Sequence, residues 1–282
     1  MTDLNGTILV IGGTGNIGRR LVDFLHGQPL RVFARRAAAL LPPGTDVVRG
    51  DLGEPGSLAA ALGGVDRVFL LWPSLDADGI DGVVNALAKG GVRHVVYVSA
   101  LQVTDDNRRT IGVWGEVEQA VVDAGLGHTF LRASGLATNT LGWAPAVRAG
   151  EPVRIPYPGA RRSLVHEADI AAVAAAALTE GKKHVGRSYV LTGPAAVSQA
   201  DQVAAIGDAI GRRIEVTEQP HDEARAAMTA WATPEWADNA LAYWASLVDH
   251  PEPVTSDVED ILGRPALSFR RWAADHVADF SA

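Results

Sequence analysis

The chain contains no cysteine among its 282 residues. Disulfide bonds, thiolate catalysis and cysteine-ligated metals are therefore excluded. No apolar run reaches the roughly 18 residues that a membrane-spanning helix needs, and the alanine-rich stretch 168–178 is interrupted by Asp169. The first residues also lack the basic start and apolar stretch of a signal peptide. We therefore expect a cytoplasmic protein that does not associate with a membrane.

Clustered positive charge is also absent. The formal net charge is −8, and the basic residues are scattered along the chain. Nucleic acid binding needs a basic stripe or patch, so we expect no nucleic acid partner. With 47% hydrophobic and 21% charged residues, the chain can bury a large core. A small hydrophobic substrate is the expected partner, and the chain is expected to be a monomer or a homodimer.

An apolar strand, a glycine-rich turn and a helix follow one another near the start of the chain. Residues 7–11 read TILVI, residues 12–18 read GGTGNIG, and residues 19–25 read RRLVDFL. A glycine turn lets backbone N–H groups approach a pyrophosphate, and the positive end of the helix faces it. The sequence therefore predicts a dinucleotide site at Gly12, Thr14, Gly15, Asn16 and Ile17. An ordinary strand-to-helix turn that binds nothing is the alternative.

The end of the second predicted strand, 30–34, bears on the choice of dinucleotide. Sites for NAD place a carboxylate there for the ribose hydroxyls, whereas sites for NADP place an arginine there for the 2′-phosphate. Here the strand is followed by Arg35 and Arg36 and by no carboxylate. Two guanidiniums can bind a phosphate through paired N–H donors. We therefore predict NADP as the cofactor, with NADPH preferred over NADH.

Strands and helices alternate through the first half of the chain. Apolar strands are predicted at 46–48, 67–71, 92–99 and 128–131, with helices at 56–62, 82–89 and 112–124 between them. This alternation predicts a doubly wound α/β Rossmann fold with a mostly parallel sheet and a small C-terminal substrate lobe. We expect a dinucleotide-binding core over 1–134 and a substrate lobe over 135–282 that is interleaved with further Rossmann elements at 166–192, in one structural unit.

In such a fold the ligand lies beyond the carboxyl ends of the strands. The residues at those ends are therefore the candidate site. For the cofactor, besides the glycine turn and the two arginines, they are Asp51, Leu52, Leu71, Trp72, Pro73, Ser99 and Ala133. For the substrate they are Trp72, Gln102, Trp114, Leu136, Asn139 and Trp143.

Several short motifs occur in a familiar order. They are IGGTGNIG at 11–18, GDL at 50–52, VYVSA at 96–100, GEVE at 115–118, LR at 131–132, DIA at 169–171, LTGP at 191–194 and LGRP at 262–265. In this order they resemble the NmrA-like atypical short-chain dehydrogenase/reductases over nearly the whole chain. The resemblance implies a Rossmann fold that binds NAD(P) at the glycine turn and a C-terminal substrate lobe. It also implies quinone or natural-product reduction, or cofactor sensing without catalysis.

The catalytic positions depart from the short-chain dehydrogenase pattern. Those enzymes use a tyrosine and, four residues later, a lysine that lowers the phenol pKa. Aligned on the motif at 115–118, the two positions hold Thr110 and Trp114. Neither can replace an acidic phenol and a cation. Ser99 is the best-placed hydroxyl, with a hydrogen bond to local backbone as its alternative role, and we assign Ser99 and Thr110 as the catalytic candidates.

Other polar groups are given structural interpretations. Asp169, near His166, is expected at a helix N-terminus, residues 221–223 are expected in an acidic first turn, and no metal site is expected. The late tryptophans favour a core over an aromatic binding box.

Two functions remain open: an NAD(P)H-dependent reductase of a hydrophobic conjugated acceptor, quinone or enone, and a non-catalytic regulator that senses NADP(H). An apolar, aromatic lobe favours the enzyme.

Overall fold

A computed structural model describes residues 6–35 and 41–281. The chain divides into two compact units. Unit 1 is built from residues within 1–133, with 167–191 and 260–263, and unit 2 from residues 134–166, 192–259 and 264–282. Across the described residues, no helix has both the length and the apolar character that crossing a membrane would require.

The bounds of the elements follow chain order. The strands are β1 (Thr7–Ile11), β2 (Leu30–Ala34), β3 (Asp46–Arg49), β4 (Val65–Leu70), β5 (His94–Ala100), β6 (Gly127–Ala133), β7 (Val153–Ile155), β8 (Arg161–Arg162), β9 (Arg187–Leu191), β10 (Val197–Ser198) and β11 (Val216–Glu218). The α-helices are α1 (Asn16–Phe24), α2 (Pro55–Ala59), α3 (Ile80–Lys89), α4 (Val113–Asp123), α5 (Ala144–Ala149), α6 (Glu167–Thr179), α7 (Gln199–Ala209), α8 (His221–Thr229), α9 (Pro234–Ser246), α10 (Asp257–Leu262), α11 (Phe269–Asp275) and α12 (Val277–Phe280).

Unit 1 is a Rossmann fold. Within residues 6–35 and 41–281, seven strands form its sheet in the order β3-β2-β1-β4-β5-β6-β9, and each neighbouring pair is parallel. Every residue of β4 and β5 is buried, as expected for strands that helices cover on both faces. The predicted doubly wound α/β class is confirmed.

The helices of unit 1 bury one stripe each against this sheet. In α1 the stripe consists of Ile17, Leu21 and Val22, at the spacing of one helical face. In α6 three alanines are buried together with Ile170, Val173 and Leu178, and α1 and α6 pack together. Small side chains on α6 let the helices approach closely, so the alanine-rich stretch is a packed helix.

Unit 2 has a core of its own, centred on Trp272. This side chain is fully buried and its ring stacks on Phe269, with 5.2 Å between ring centroids. Val203 and Ile206 of α7 belong to the same cluster. Two small sheets accompany the helices: β7 pairs with β11 in parallel, and β8 pairs with β10 antiparallel.

From its sequence, the segment 134–151 with its bulky Leu141 and Trp143 is predicted to form one helix, and here the structure differs from the prediction. The structure instead has a 3₁₀ helix over Ala137–Trp143 followed by the short helix α5. Pro145 lies in the first turn of α5, where its missing N–H costs no hydrogen bond. A proline therefore favours the start of a new helix at this point over continuation of the preceding one.

Candidate functional site

The glycine turn joins β1 to α1. Gly12 has a φ of +84°, which L side chains rarely adopt. The backbone N–H of Gly15 donates to the carbonyl oxygen of Gly12 at 3.0 Å and closes the turn. A Cβ on Gly18 would lie 2.2 Å from that same carbonyl oxygen. Gly12 and Gly18 are therefore required by the turn and by the packing of the helix on it.

Gly15 has a different environment. A Cβ built on it would meet only the Gly12 oxygen, at 3.4 Å, and the flanking Thr14 and Asn16 are exposed. Gly15 is also the N-cap of α1, and no side chain caps the helix there. The first-turn N–H groups and the positive end of α1 are thus open to an anion. This surface fits the pyrophosphate of a dinucleotide, with Ile17 buried behind it.

Arg35 follows β2 directly and is exposed. Among the described residues its guanidinium has no hydrogen-bond or ion-pair partner. Arg36 lies outside the described residues. In the nearby loop the Asp51 carboxylate accepts a hydrogen bond from the Gly53 N–H at 3.0 Å, and Leu52 is buried. Arg35 is therefore the available cation at this strand end.

The end of β4 contributes Leu71, Trp72 and Pro73. Leu71 lies beside the glycine turn, because a Cβ on Gly12 would be 3.5 Å from its Cβ. The indole N–H of Trp72 donates to the carbonyl oxygen of Asp76 at 2.7 Å. Trp72 is therefore held by its own loop, while Pro73 is exposed.

Ser99, near the end of β5, is buried, and its hydroxyl has no hydrogen-bond partner in the described part of the chain. An unpartnered buried hydroxyl is costly, so it marks a place where a ligand can complete the bonding. Ala133 ends the neighbouring strand β6, and its carbonyl oxygen accepts from the Leu101 N–H at 2.8 Å. The backbone of Ala133 therefore fixes the start of the loop after β5.

Thr110 lies in that loop and is exposed. Its hydroxyl donates to the carbonyl oxygen of Asn107 at 3.0 Å. Trp114 lies in the first turn of α4 and is 36% exposed, and Gln102 is exposed in the same loop. Tyr97, buried in β5, has a pKa raised by burial and further by the charge of Glu118. It is therefore a core side chain.

A buried ionic network ties this loop to α4 and β6. Glu118 is fully buried in α4 and accepts hydrogen bonds from Arg132, at 2.8 and 3.1 Å, and from Arg108, at 3.0 Å. Asp105 bonds to both arginines at 2.6 and 2.7 Å, and the Arg132 hydrogen bond holds the pKa of Asp105 below its usual value. In the sequence, Glu118 and Arg132 stand out only as parts of motifs. Their pairing depends on packing that a linear pattern does not contain.

Unit 2 contains a cavity of about 280 Å³. Two predicted substrate residues, Asn139 and Trp143, line it, whereas Leu136 is outside the lining and pairs with Val165 in an isolated bridge. Its other walls include Trp231, Trp244, Met228, Arg154 and Arg162. The sequence did not indicate the two arginines, because the strands that present them, β7 and β8, have only three and two residues and so carry no local pattern.

The late tryptophans divide between two roles. Trp272 is a core residue as expected, whereas Trp231 is 60% exposed and lines the cavity with Trp244. A core interpretation of all of them was therefore too broad.

The remaining polar groups are structural. His166 Nε2 lies 3.4 Å from a carboxylate oxygen of Asp275, and Asp169 lies in the first turn of α6. Asp222 and Glu223 form the acidic first turn of α8. In the described residues, no group of three or more His, Cys, Asp or Glu side chains could hold a metal ion.

A family model described as NAD(P)H-binding matches residues 12–181, which is more than half of the chain. The chain belongs to this NAD(P)H-binding family. This membership agrees with the resemblance of its motifs to the NmrA-like atypical short-chain dehydrogenase/reductases. The glycine turn, Arg35 and Ser99 are thus candidate parts of an NAD(P)H site.

Two curated relatives match the chain over nearly its full length. One is the (4-alkanoyl-5-oxo-2,5-dihydrofuran-3-yl)methyl phosphate reductase of Streptomyces griseus, 37% identical, with 97% of this chain and 99% of the relative covered. Another is the NAD(P)H azoreductase of Xenophilus azovorans, 35% identical, with 98% and 99% covered.

A solved structure shares the fold: an NADPH-dependent quinone oxidoreductase of Escherichia coli in complex with NADPH. Its TM-score is 0.77 at 23% identity, and 95% of this chain and 99% of that chain are covered. The family match and the two curated relatives identify the present chain as an NAD(P)H-dependent oxidoreductase.

Proposed function

We propose that the protein transfers hydride from NADPH to a hydrophobic conjugated acceptor, an enone or a quinone. When bound, NADPH supplies the hydride, that is, two electrons and one proton. The second proton comes from solvent, so that an enone gains hydrogen across its double bond and a quinone becomes a hydroquinone. The chain's own task is to bind and orient both reactants, which is a large part of catalysis for such a transfer.

The observation that supports this acceptor class is that Thr110 and Trp114 occupy the positions of the tyrosine and lysine in the short-chain dehydrogenase pattern. Thr110 uses its hydroxyl on a backbone carbonyl, and Trp114 carries no charge. An isolated ketone develops an alkoxide that needs a strong proton donor. A conjugated acceptor spreads the developing charge and does not need one. Ser99 supplies the hydroxyl that we assign to the bound reactants, because it lies near the carboxyl end of β5 and is buried without a hydrogen-bond partner in the described part of the chain.

The names of the relatives support the same class. The substrate named for the Streptomyces griseus reductase is a 5-oxo-2,5-dihydrofuran with a 4-alkanoyl group, and its ring double bond is conjugated with carbonyl groups. The cavity of unit 2, with Trp143, Trp231 and Trp244 in its walls, fits a planar apolar molecule. We assign this unit to the acceptor.

NADPH is proposed over NADH because of Arg35. Its side chain is exposed at the end of β2 and has no protein partner among the described residues. A guanidinium binds a phosphate through two parallel N–H donors, whereas it adds little for a ribose hydroxyl.

A panel of acceptors at saturating NADPH tests the proposal, with the loss of NADPH absorbance as the measurement. Quinones and enones are expected to be turned over, and simple ketones to react poorly. Fast reduction of simple ketones would contradict the acceptor class, since an unidentified acid would then be at work. Tight NADPH binding with no turnover of any acceptor would favour the cofactor-sensing alternative.

A further inference from the structure

The cavity of unit 2 has an unusual balance of charge for an apolar site. Its aromatic and aliphatic walls hold two cations, Arg154 and Arg162, and no aspartate or glutamate lines it. An uncharged apolar ligand needs neither guanidinium. Both guanidiniums can, however, donate charge-assisted hydrogen bonds to a ligand that carries negative charge.

The buried carboxylate of Glu252 fixes the side chain of Arg162. Its Nε and Nη2 atoms both lie 3.2 Å from one carboxylate oxygen of Glu252, a side chain that is 1% exposed. The same oxygen accepts the Tyr243 hydroxyl at 2.6 Å, and the other oxygen accepts the Ser163 N–H at 2.9 Å. Glu252 therefore has its acceptors occupied, and it fixes the plane of the guanidinium.

Gly135 lies directly against the guanidinium of Arg162. A Cβ on Gly135 would lie 2.2 Å from Nη2 of Arg162, so only glycine leaves room for the side chain in this position. The Nη1 end of Arg162 has no hydrogen-bond acceptor among the described residues. The result is a pre-oriented guanidinium with one free edge, which is the part that can bind an anion without further ordering.

Arg154 is the second cation of the cavity and is held more loosely. It pairs with Glu223, and both side chains are 53% exposed. Exposed ion pairs contribute little free energy, so Arg154 can leave Glu223 for a ligand at small cost. A fixed and a movable guanidinium in one cavity suit an oxyanion with several acceptor oxygens.

We propose that Arg162, assisted by Arg154, binds an anionic group of the acceptor, a carboxylate, sulfonate or phosphate, whose flat apolar part packs on the tryptophans of the cavity. The proposal rests on the proposed function in that it describes the substrate of that reaction: an amphiphilic anion that carries a conjugated system. Its oxygens accept N–H donors from the free edge of Arg162, and no covalent step takes place there.

Binding of probes that cannot be reduced tests the site without relying on turnover. Calorimetric titration of the full chain with 2-naphthoate and with the uncharged 2-naphthylmethanol compares two ligands of the same apolar shape. We expect the wild type to bind naphthoate about tenfold more tightly, the effect of one charge-assisted hydrogen bond. Phosphate and sulfonate analogues of naphthalene then rank the anions.

Three variants assign the effect. Arg154→Gln removes the movable cation without disturbing buried groups, and it should weaken naphthoate a few-fold. The double variant Arg162→Gln/Glu252→Gln removes the fixed cation without leaving a buried charge unpaired, and it should abolish the preference for naphthoate. Arg225→Gln is the matched control, because Arg225 of α8 forms an exposed pair with Asp238 of α9 and neither residue lines the cavity. This control should change the affinity for neither ligand. Circular dichroism checks that each variant is folded.

The two proposals fail in different ways. If neutral quinones or enones are turned over but the wild type does not prefer naphthoate, or if the preference survives in a folded double variant, the anion site is wrong and the reductase proposal stands. If naphthoate binds in an arginine-dependent way and no acceptor is turned over, the anion site stands as a binding site and the reductase proposal fails.

Discussion

Arg132 and Glu118 form a bidentate ion pair inside unit 1. Nε of Arg132 donates to one oxygen of Glu118 at 3.1 Å and Nη2 donates to the other at 2.8 Å. Both side chains are buried, and Arg132 also bonds to Asp105 in the loop between β5 and α4. The pair thus joins a strand, a helix and the loop that carries Gln102 and Thr110.

Glu118→Gln should lower the free energy of unfolding by about 3 kcal/mol, because it leaves the buried Arg132 with the exposed Asp105 as its remaining carboxylate partner. Urea unfolding followed by circular dichroism measures the change. Arg109→Gln is the control, since Arg109 forms an exposed pair with Asp123, and it should cost less than about 1 kcal/mol. Equal, small effects of the two variants would show that the buried network is not a source of stability.

Two glycines of the turn should respond in opposite ways to a side chain. Gly15→Val places its Cβ in ordinary van der Waals contact with the Gly12 oxygen, at 3.4 Å, so the fold should persist while the pyrophosphate is excluded and both NADPH and NADH fail to bind. Gly18→Ala places its Cβ against the Gly12 carbonyl oxygen, so it should destabilise the fold. Thermal unfolding and fluorescence titration with both cofactors separate these effects. Undiminished cofactor affinity in Gly15→Val would make the turn purely structural.

Arg35→Asp should weaken NADPH by about 2 kcal/mol, the loss of one charge-assisted phosphate contact, and should change NADH much less. Arg187→Asp makes the same change of charge at the start of β9, at the edge of the sheet away from the carboxyl ends of the strands, and should leave both affinities unchanged. Titrations of each variant with each cofactor give the four differences. Equal weakening of NADPH and NADH by Arg35→Asp would remove the 2′-phosphate assignment.

We expect His94 to make the stability of the fold sensitive to mild acid. Burial, with smaller contributions from His128 and His184, lowers its pKa from 6.5 to about 4. Thr129 donates its hydroxyl to the His184 carbonyl oxygen and so accepts from Nε2 of His94, at 2.8 Å. As pH falls below 6.5 the unfolded chain binds a proton that the folded chain binds only near pH 4. The free energy of unfolding should therefore fall as the pH drops from 6.5 towards 4, and the loss should be about 2 kcal/mol at pH 5.

His94→Gln tests this dependence, since the amide can still donate to Thr129 but does not titrate. Urea unfolding at about pH 7.5 and pH 5 should show a smaller loss in this variant than in the wild type. His26→Gln, at an exposed histidine, should lose as much as the wild type. If His94→Gln loses as much unfolding free energy between the two pH values as the wild type does, other groups cause the acid sensitivity.

The predictability of this chain from its sequence differs between its two units. The strands of unit 1 were placed to within a few residues, because buried parallel strands are continuous apolar runs and glycine punctuates them. In unit 2, the strands β7, β8, β10 and β11 have two or three residues each. They exist through tertiary pairing rather than through a local pattern, so the positions of Arg154 and Arg162 could not be predicted.

The same difference holds inside the candidate site. Ser99 could be placed because it follows an apolar run, but its lack of a partner and the bond from Thr110 to Asn107 depend on how the loop folds back. A Cβ built on Gly115 would lie 2.2 Å from the Arg108 carbonyl oxygen, so the loop packs directly against the backbone of α4.

The last prediction concerns the opposite roles of Ser99 in stability and in function. Ser99→Ala removes a buried hydroxyl that has no partner in the described residues, so the free protein should become more stable by about 1 kcal/mol. The same change should lower kcat/KM for a quinone or enone by roughly tenfold, if the hydroxyl bonds to a bound reactant. Thr110→Val serves as the comparison, because its hydroxyl already bonds to Asn107, and its kcat/KM should change less than about threefold. Thermal unfolding without ligand and steady-state kinetics on both variants give the two readouts. If Ser99→Ala is stabilised and fully active, the hydroxyl has no role in the reaction; if Thr110→Val shows the larger kinetic loss, the loop hydroxyl acts in its place.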